Sequence, residues 1–144
     1  MARFCSAICY YAMARKTRKR RYLLEAKRQH KFLRRWSDRP KDKINQNFVH
    51  REVLLSAELD AFCGKIESAF HKYKVAIRMA GRCGIIQDQA LANERYAALC
   101  REQGNHDDYI FRINAAIRLY SEWGAFAKVD KLKSFLSPDH LKEP

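Results

Sequence analysis

The sequence of 144 residues is poor in glycine (5) and proline (3), and its first third is nearly devoid of acids. Those two residues are the strongest turn formers. Their scarcity, with no Asn-Gly or Asp-Gly between alternating apolar residues, removes the signals of β-hairpins and leaves helix as the default reading throughout. No run approaches 18 consecutive apolar residues, so no transmembrane helix is expected. A secretory signal is not expected either, because the mostly apolar stretch 4–14 precedes its basic cluster and no small-residue cleavage site follows. The five cysteines are odd in number and contain no Cys-x-x-Cys, which argues against a disulfide scaffold or zinc knuckle and for reduced thiols in the cytoplasm. Cys5 and Cys9, one helical turn apart, fit acylation, but small buried hydrophobes are the preferred reading.

Catalytic chemistry is equally sparse. A phosphate-binding loop needs glycines at fixed spacing before Lys-Ser/Thr, whereas Gly64-Lys65 is followed by Ile66 and has no earlier glycine in register. His30, His50, His71, His106 and His140 are scattered, and none pairs with Glu or another His at helical metal-ligand spacing. Asp107 and Asp108 point different ways on a helix and suit its N-terminus better than acid/base work. Cys63, Cys83 and Cys100 fall where a helix packs, with no neighbouring base. The expectation is a protein that is not an enzyme and holds no cofactor or metal.

What the chain has in excess is positive charge. The 29 Lys and Arg outnumber the 16 Asp and Glu, a formal net charge of +13. Residues 1–50 hold 15 of those cations against Glu25, Asp38 and Asp42, while residues 51–144 are almost neutral. The candidate basic patch comprises Arg15, Lys16, Arg18, Lys19, Arg20 and Arg21, followed by Lys27, Arg28, Lys31, Arg34 and Arg35. With Tyr22, Phe32 and Trp36 interleaved, it suits a phosphate backbone and stacked bases. A membrane surface, an acidic partner and a merely solvated helix face suit it too. The run Arg18-Lys19-Arg20-Arg21 is also compatible with a nuclear-localisation signal.

The apolar residues follow helical periods. Ile66, Ala69, Phe70, Tyr73, Ala76, Ile77 and Ala80 recur at i, i+3, i+4, i+7, as do Ile110, Ile113, Ala116, Ile117, Tyr120 and Trp123. A shift of 40 residues relates the two stretches: Gly64 to Gly104, Ala76-Ile77-Arg78 to Ala116-Ile117-Arg118, Gly84 to Gly124, and upstream Ala57 and Leu59 to Ala97 and Leu99. A period near 40 is a helix–turn–helix repeat length. The spacing predicts helices over about 47–63, 66–83, 86–103 and 106–123. Gly64 and Gly104 are stops, and Asn105 is a cap. Ala90, Ala92, Ala97 and Ala98 let the 86–103 helix approach neighbours on more than one side. A last helix, about 125–136, caps the array and is stopped by Pro138. Residues 1–45 read as a degenerate basic hairpin followed by a linker from Lys41 to Asn45.

One family shares these features. Gln89 to Asn105, with Ala90-Leu91-Ala92-Asn93-Glu94 at its start, and Ile113 to Leu132, with Trp123-Gly124-Ala125 and Lys128-Val129, resemble the C-terminal helical-repeat region of large predicted ATPases fused to sensor histidine kinases and serine/threonine kinases. Gly64, Ala69, Tyr73 and Ala76 also resemble the spacing of tetratricopeptide hairpins. The resemblance covers roughly residues 48–136 and implies an all-α fold of about six to seven helices, in antiparallel tetratricopeptide-like hairpins stacked as a short right-handed solenoid. The ATP-binding loop, kinase lobes and phospho-acceptor histidine of that family have no counterpart here, so only the scaffold's role carries over.

The expected organisation is a basic hairpin and linker over 1–45, two repeats and a capping helix over 46–138, and a tail over 139–144. The expected function is a cytoplasmic, non-catalytic scaffold that binds another protein or a missing regulatory or ATPase domain. Nucleic-acid or acidic-surface binding through the basic hairpin is the alternative. Candidate groove residues on the first helix of each hairpin are Arg51, Glu58, Asn93, Arg95 and Arg101.

Overall fold

The structure, a computed structural model, describes residues 1–37 and 43–137, the side chains of 43–47 excepted. It is helical throughout this range: α1 (Ala2–Thr17), α2 (Arg20–Ser37), α3 (Lys43–Phe62), α4 (Ile66–Arg82), α5 (Ile86–Glu102), α6 (His106–Trp123) and α7 (Phe126–Phe135). There is no strand among the described residues. The expected linker differs: Lys43, Ile44 and Asn45 already belong to α3, while Lys41 and Asp42, like Pro138 and the tail, lie outside the described residues. The all-helical class and the upper helix count agree with the sequence reading.

Four of the helix ends are built identically and sit 20 residues apart. Gly64, Gly84, Gly104 and Gly124 have φ of +76°, +68°, +71° and +87°, the left-handed region that a Cβ penalises. After each glycine, the next amide donates back to the carbonyl five positions earlier in the closing turn: Lys65 to Asp60, Ile85 to Ala80, Asn105 to Cys100, Ala125 to Tyr120. Each glycine's own N–H donates three residues back, to Ala61, Gly81, Arg101 and Ser121. This double closure satisfies carbonyls that a helix end otherwise orphans. α1 ends differently, on Arg18 at φ +57°, which is the one non-glycine with positive φ among the described residues.

The chain divides into two compact units, Met1–Met79 and Ala80–Pro144. In the first, α1 and α2 form a hairpin against α3, and α4 folds back on α3. Its core holds Phe4, Ile8, Tyr11, Leu54, Leu55 and Tyr73, with Ala7, Ala14, Ala26, Ala57, Ala69 and Ala76 at close helix contacts. In the second, α5 is buried over more than half its circumference by Ala90, Ala92, Tyr96, Ala97, Leu99 and Cys100. Three of the four alanines singled out in this helix, Ala90, Ala92 and Ala97, are among these buried positions. Ile113, Ala116, Leu119 and Tyr120 of α6, and Val129 and Leu132 of α7, complete this core.

Sequence explains the start of α6 as well. The Asn105 side-chain oxygen accepts from the Asp108 amide at 3.2 Å, and Asp107 and Asp108 place negative charge at the positive end of the helix.

Substituting Gly104→Ala or Gly124→Ala forces a Cβ into the left-handed region and is expected to lower stability by about 1–2 kcal/mol. Gly81, inside α4, has no such constraint. Its added Cβ meets only the end of the Gln89 side chain, at 2.9 Å. Gly81→Ala therefore gains helix propensity, up to about 1 kcal/mol, once Gln89 swings aside. Urea denaturation of the three variants checks the opposite signs.

Candidate functional site

Several buried and half-buried polar groups in the first unit are engaged with one another. The Glu58 side chain, from α3, is fully buried. It accepts from Arg15 Nη1 of α1 at 3.0 Å and from the Tyr73 hydroxyl of α4 at 2.7 Å. Arg15 also donates to the Tyr73 oxygen at 3.2 Å. A carboxylate this deep is tolerated only with a cation and hydrogen bonds to replace water.

A second chain of contacts runs through His30. Its Nε2 lies 3.2 Å from Glu52 Oε1 and its Nδ1 lies 2.8 Å from the Tyr11 hydroxyl. A carboxylate can only accept, so in the neutral ring Nε2 carries the proton and Nδ1 accepts from Tyr11. The line-up of carboxylate, imidazole and hydroxyl has the form of a proton relay, but Tyr11 is fully buried. Burial, helped by the Glu58 charge, pushes its phenol well above the tyrosine range, so it stays protonated and faces no solvent. The His30 bond outweighs partial burial and holds the Glu52 carboxyl below its ordinary value, with Arg34 and Lys72 nearby assisting. At the α3–α4 turn, Lys72 bridges Asp60 at 2.7 Å. Burial of Asp60 opposes ionisation, but bonds from Lys72 and Ser68 prevail and lower its pKa.

In the second unit Glu94 of α5 takes the Tyr120 hydroxyl of α6 at 2.8 Å and the Lys128 ammonium of α7 at 2.7 Å, joining three helices. Asn93 donates to the Gln89 carbonyl and accepts from Arg112 at 3.3 Å. Arg112 stacks on Tyr96, 4.3 Å from the ring centroid.

These placements revise the candidate residues. Arg51, Glu58 and Asn93, expected along a groove, are buried: Arg51 lies over the rings of Phe4 and Phe48, and the other two serve the contacts above. Arg95 is half-buried and Arg101 exposed. In the basic patch, Arg15 is interior. Arg18 is tied to the Phe62 carbonyl and ring, Arg21 to Tyr22, and Arg28 to Glu25. Lys16, Lys19, Arg20, Lys27, Lys31, Arg34 and Arg35 are in or near the surface of the hairpin. Lys27, His30, Lys31, Arg34 and Arg35 line a hollow of about 460 Å³ floored by Leu59.

Cysteine placement also departs from expectation. Cys5, Cys9, Cys63 and Cys83 are exposed, and Cys100 alone is buried. On α1 the buried arc is filled by Phe4, Ala7, Ile8, Tyr11 and Ala14, which turns Cys5 and Cys9 outward. No group of three His, Cys, Asp or Glu among the described residues is placed to hold a metal ion, and no described helix is long and apolar enough to cross a membrane.

The unit boundary sharpens the charge asymmetry. Residues 1–79 hold 20 Lys and Arg against 7 Asp and Glu, whereas residues 80–144 hold nine of each. The entire excess of +13 belongs to the first unit. Comparison with family models, with curated proteins and with solved structures finds no match.

Two outcomes check the buried contacts. Glu58→Ala strands Arg15 without its counter-charge and is expected to cost about 3–5 kcal/mol, while Arg15→Met with Glu58→Leu costs markedly less; denaturant titration compares them. The pH limits follow from the shifted groups. Tyr11 contributes stability that is full below the ordinary tyrosine range near pH ~10 and is lost as pH rises beyond it. Glu52 contributes stability that is full above the ordinary carboxylate range near ~4.3 and is lost as pH falls. Tyr11→Phe is expected to flatten the alkaline loss and Glu52→Gln the acid one, read from urea midpoints across pH.

Proposed function

We propose that the protein is a non-catalytic helical scaffold for protein–protein interaction, built from tetratricopeptide-like hairpins and related to the C-terminal repeat region of ATPase-linked sensor kinases. The observation that carries this reading is the 20-residue recurrence of one helix closure at Gly64, Gly84, Gly104 and Gly124. Helices α4, α5 and α6, of 17, 17 and 18 residues, are delimited by identical turns. Near-constant helices with constant turns are what stacked helical repeats require.

The kinase-related part of the reading is supported by Glu94 and Lys128, which belong to the two separated motifs of the resemblance and meet in one ion pair. The second unit, with no net charge, offers the partner surface. Arg101 is exposed there, and Phe111, Trp123 and Phe126 are 63%, 55% and 65% exposed. Large aromatics and arginine are residue types that anchor protein interfaces.

Site-specific photo-crosslinkers at Arg101 and at Phe126, with one at Lys74 in the first unit as control, test the proposal in cell extract. The expected result is one polypeptide captured from both second-unit positions and absent from the control. Its purified form should bind the chain at least tenfold more weakly after Phe126→Ser. Capture of no common polypeptide, or affinity untouched by the substitution, overturns the reading.

A further inference from the structure

The α1–α2 hairpin has two sides, and only one of them is covered. Toward α3 it turns Phe4, which meets Arg51, Arg15, which meets Glu58, and His30, which meets Glu52. The opposite side carries a different mixture. On α2, Arg21, Leu24, Arg28, Lys31 and Arg35 recur at i, i+3, i+7, i+10 and i+14, a single stripe about 21 Å long. On α1, Cys9 and Met13 stand one turn apart and outward.

The two helices contribute to one continuous surface. The Arg3 guanidinium sits 4.0 Å from the Phe32 ring centroid and bonds Gln29. Arg3, Arg28, Lys31, Phe32 and Arg35 together line a shallow hollow of about 350 Å³. Within residues 1–37 the one acid is Glu25. Hydrogen bonds from Gln29 and Arg28 hold its carboxyl below the ordinary range, and it neutralises only Arg28.

Cations alone do not identify an occupant, but their neighbours do. Met1, Met13, Leu24, Phe32 and Trp36 are exposed on this hairpin at 65%, 39%, 54%, 37% and 44%. Aliphatic side chains such as Met13 and Leu24 gain nothing from a phosphodiester backbone and pack poorly on bases. They do gain by entering the boundary between headgroups and acyl chains, where Trp also partitions. Lysines and arginines beside them then pair with anionic headgroups.

We propose that the α3-distal face of the α1–α2 hairpin docks on an anionic lipid surface, with Leu24, Met13, Phe32 and Trp36 inserted at the headgroup boundary and Arg3, Lys31 and Arg35 on the headgroups. The association is peripheral, and it is independent of the scaffold role of the second unit.

The test is co-sedimentation of the full chain with vesicles of phosphatidylcholine alone or mixed with phosphatidylserine. Binding is expected only to the mixed vesicles and is expected to weaken with salt. Replacing Arg3, Lys31 and Arg35 by Ala should weaken it roughly a hundredfold, about fivefold for each cation. Leu24→Ser with Phe32→Ser should also lower it, with unchanged circular dichroism. The chain has two tryptophans, so Trp123→Phe isolates Trp36, whose emission should shift to the blue and be quenched by brominated lipid. Equal partitioning to both vesicle types, no partitioning, or an unshifted Trp36 overturns the proposal. So does tight binding of a single-stranded oligonucleotide that is lost in the triple Ala variant but indifferent to Leu24→Ser and Phe32→Ser, because the face is then a nucleic-acid surface.

Discussion

The buried carboxylate of Glu58 is the constraint around which the first unit is arranged. A carboxylate without water must have its charge balanced and its lone pairs filled. Arg15 and Tyr73 do both, from α1 and α4. The consequence is positional: the basic hairpin cannot swing away from α3 without leaving two opposite charges stranded in an apolar interior. Glu94 repeats the chemistry in the second unit with Tyr120 and Lys128, but there the ion pair is partly open to solvent. Solvent screens it, so it orients three helices more than it stabilises them. The two carboxylates show one device at two depths, with the deeper one the greater liability if a partner is lost.

That arrangement decides which cations are available for anything else. Arg15 is withdrawn into the interior, and Arg18 and Arg21 are laid on Phe62 and Tyr22. The remaining charge lies at the hairpin surface, with Lys16, Lys19 and Arg20 near the α1–α2 turn, Lys27 and Arg34 beside His30, and Lys31 and Arg35 reaching the outward side of α2. The fold thus divides the cations that the sequence places between residues 15 and 35 into one interior, several tied to neighbours, and several facing solvent. The second unit has equal numbers of acids and bases, so a partner of the kind proposed above would have to be recognised there mainly by shape and apolar contact.

Much of the fold was legible because helices advertise themselves by period and by their ends. Gly64, Gly104 and Asn105 carry the stop and cap roles their chemistry implies, and the alanines of α5 lie at close contacts as their size predicts. The polar interior was not legible. Glu58 and Arg51 look like surface residues in a helical pattern because their type is usually solvated, and only the approach of a cation from a helix 43 residues away makes burial tolerable. Cys5 and Cys9 fail in the opposite direction: small apolar residues satisfy either side of a helix, so the larger Phe4, Ile8 and Tyr11 decided the orientation of α1. The same limit explains why the basic run could not be parsed by sequence alone. Adjacent cations in a helix point around its whole circumference, and tertiary contacts choose which of them reach solvent.

The exposed apolar side chains among those cations need a physical account. A solvated basic helix gains nothing by displaying Leu24, Phe32 and Trp36, and each adds to the risk of self-association that net charge otherwise suppresses. If they served the core, the α3-facing side of the hairpin would hold them, yet that side is filled by alanines, Tyr11 and His30. A ligand that is polyanionic but offers no apolar phase leaves their exposure unexplained, whereas one that presents charge at its surface and hydrocarbon beneath explains both features at once. The discriminating residues of this face are therefore its few aliphatic and aromatic side chains, and its many cations set only the strength and the salt dependence of the encounter.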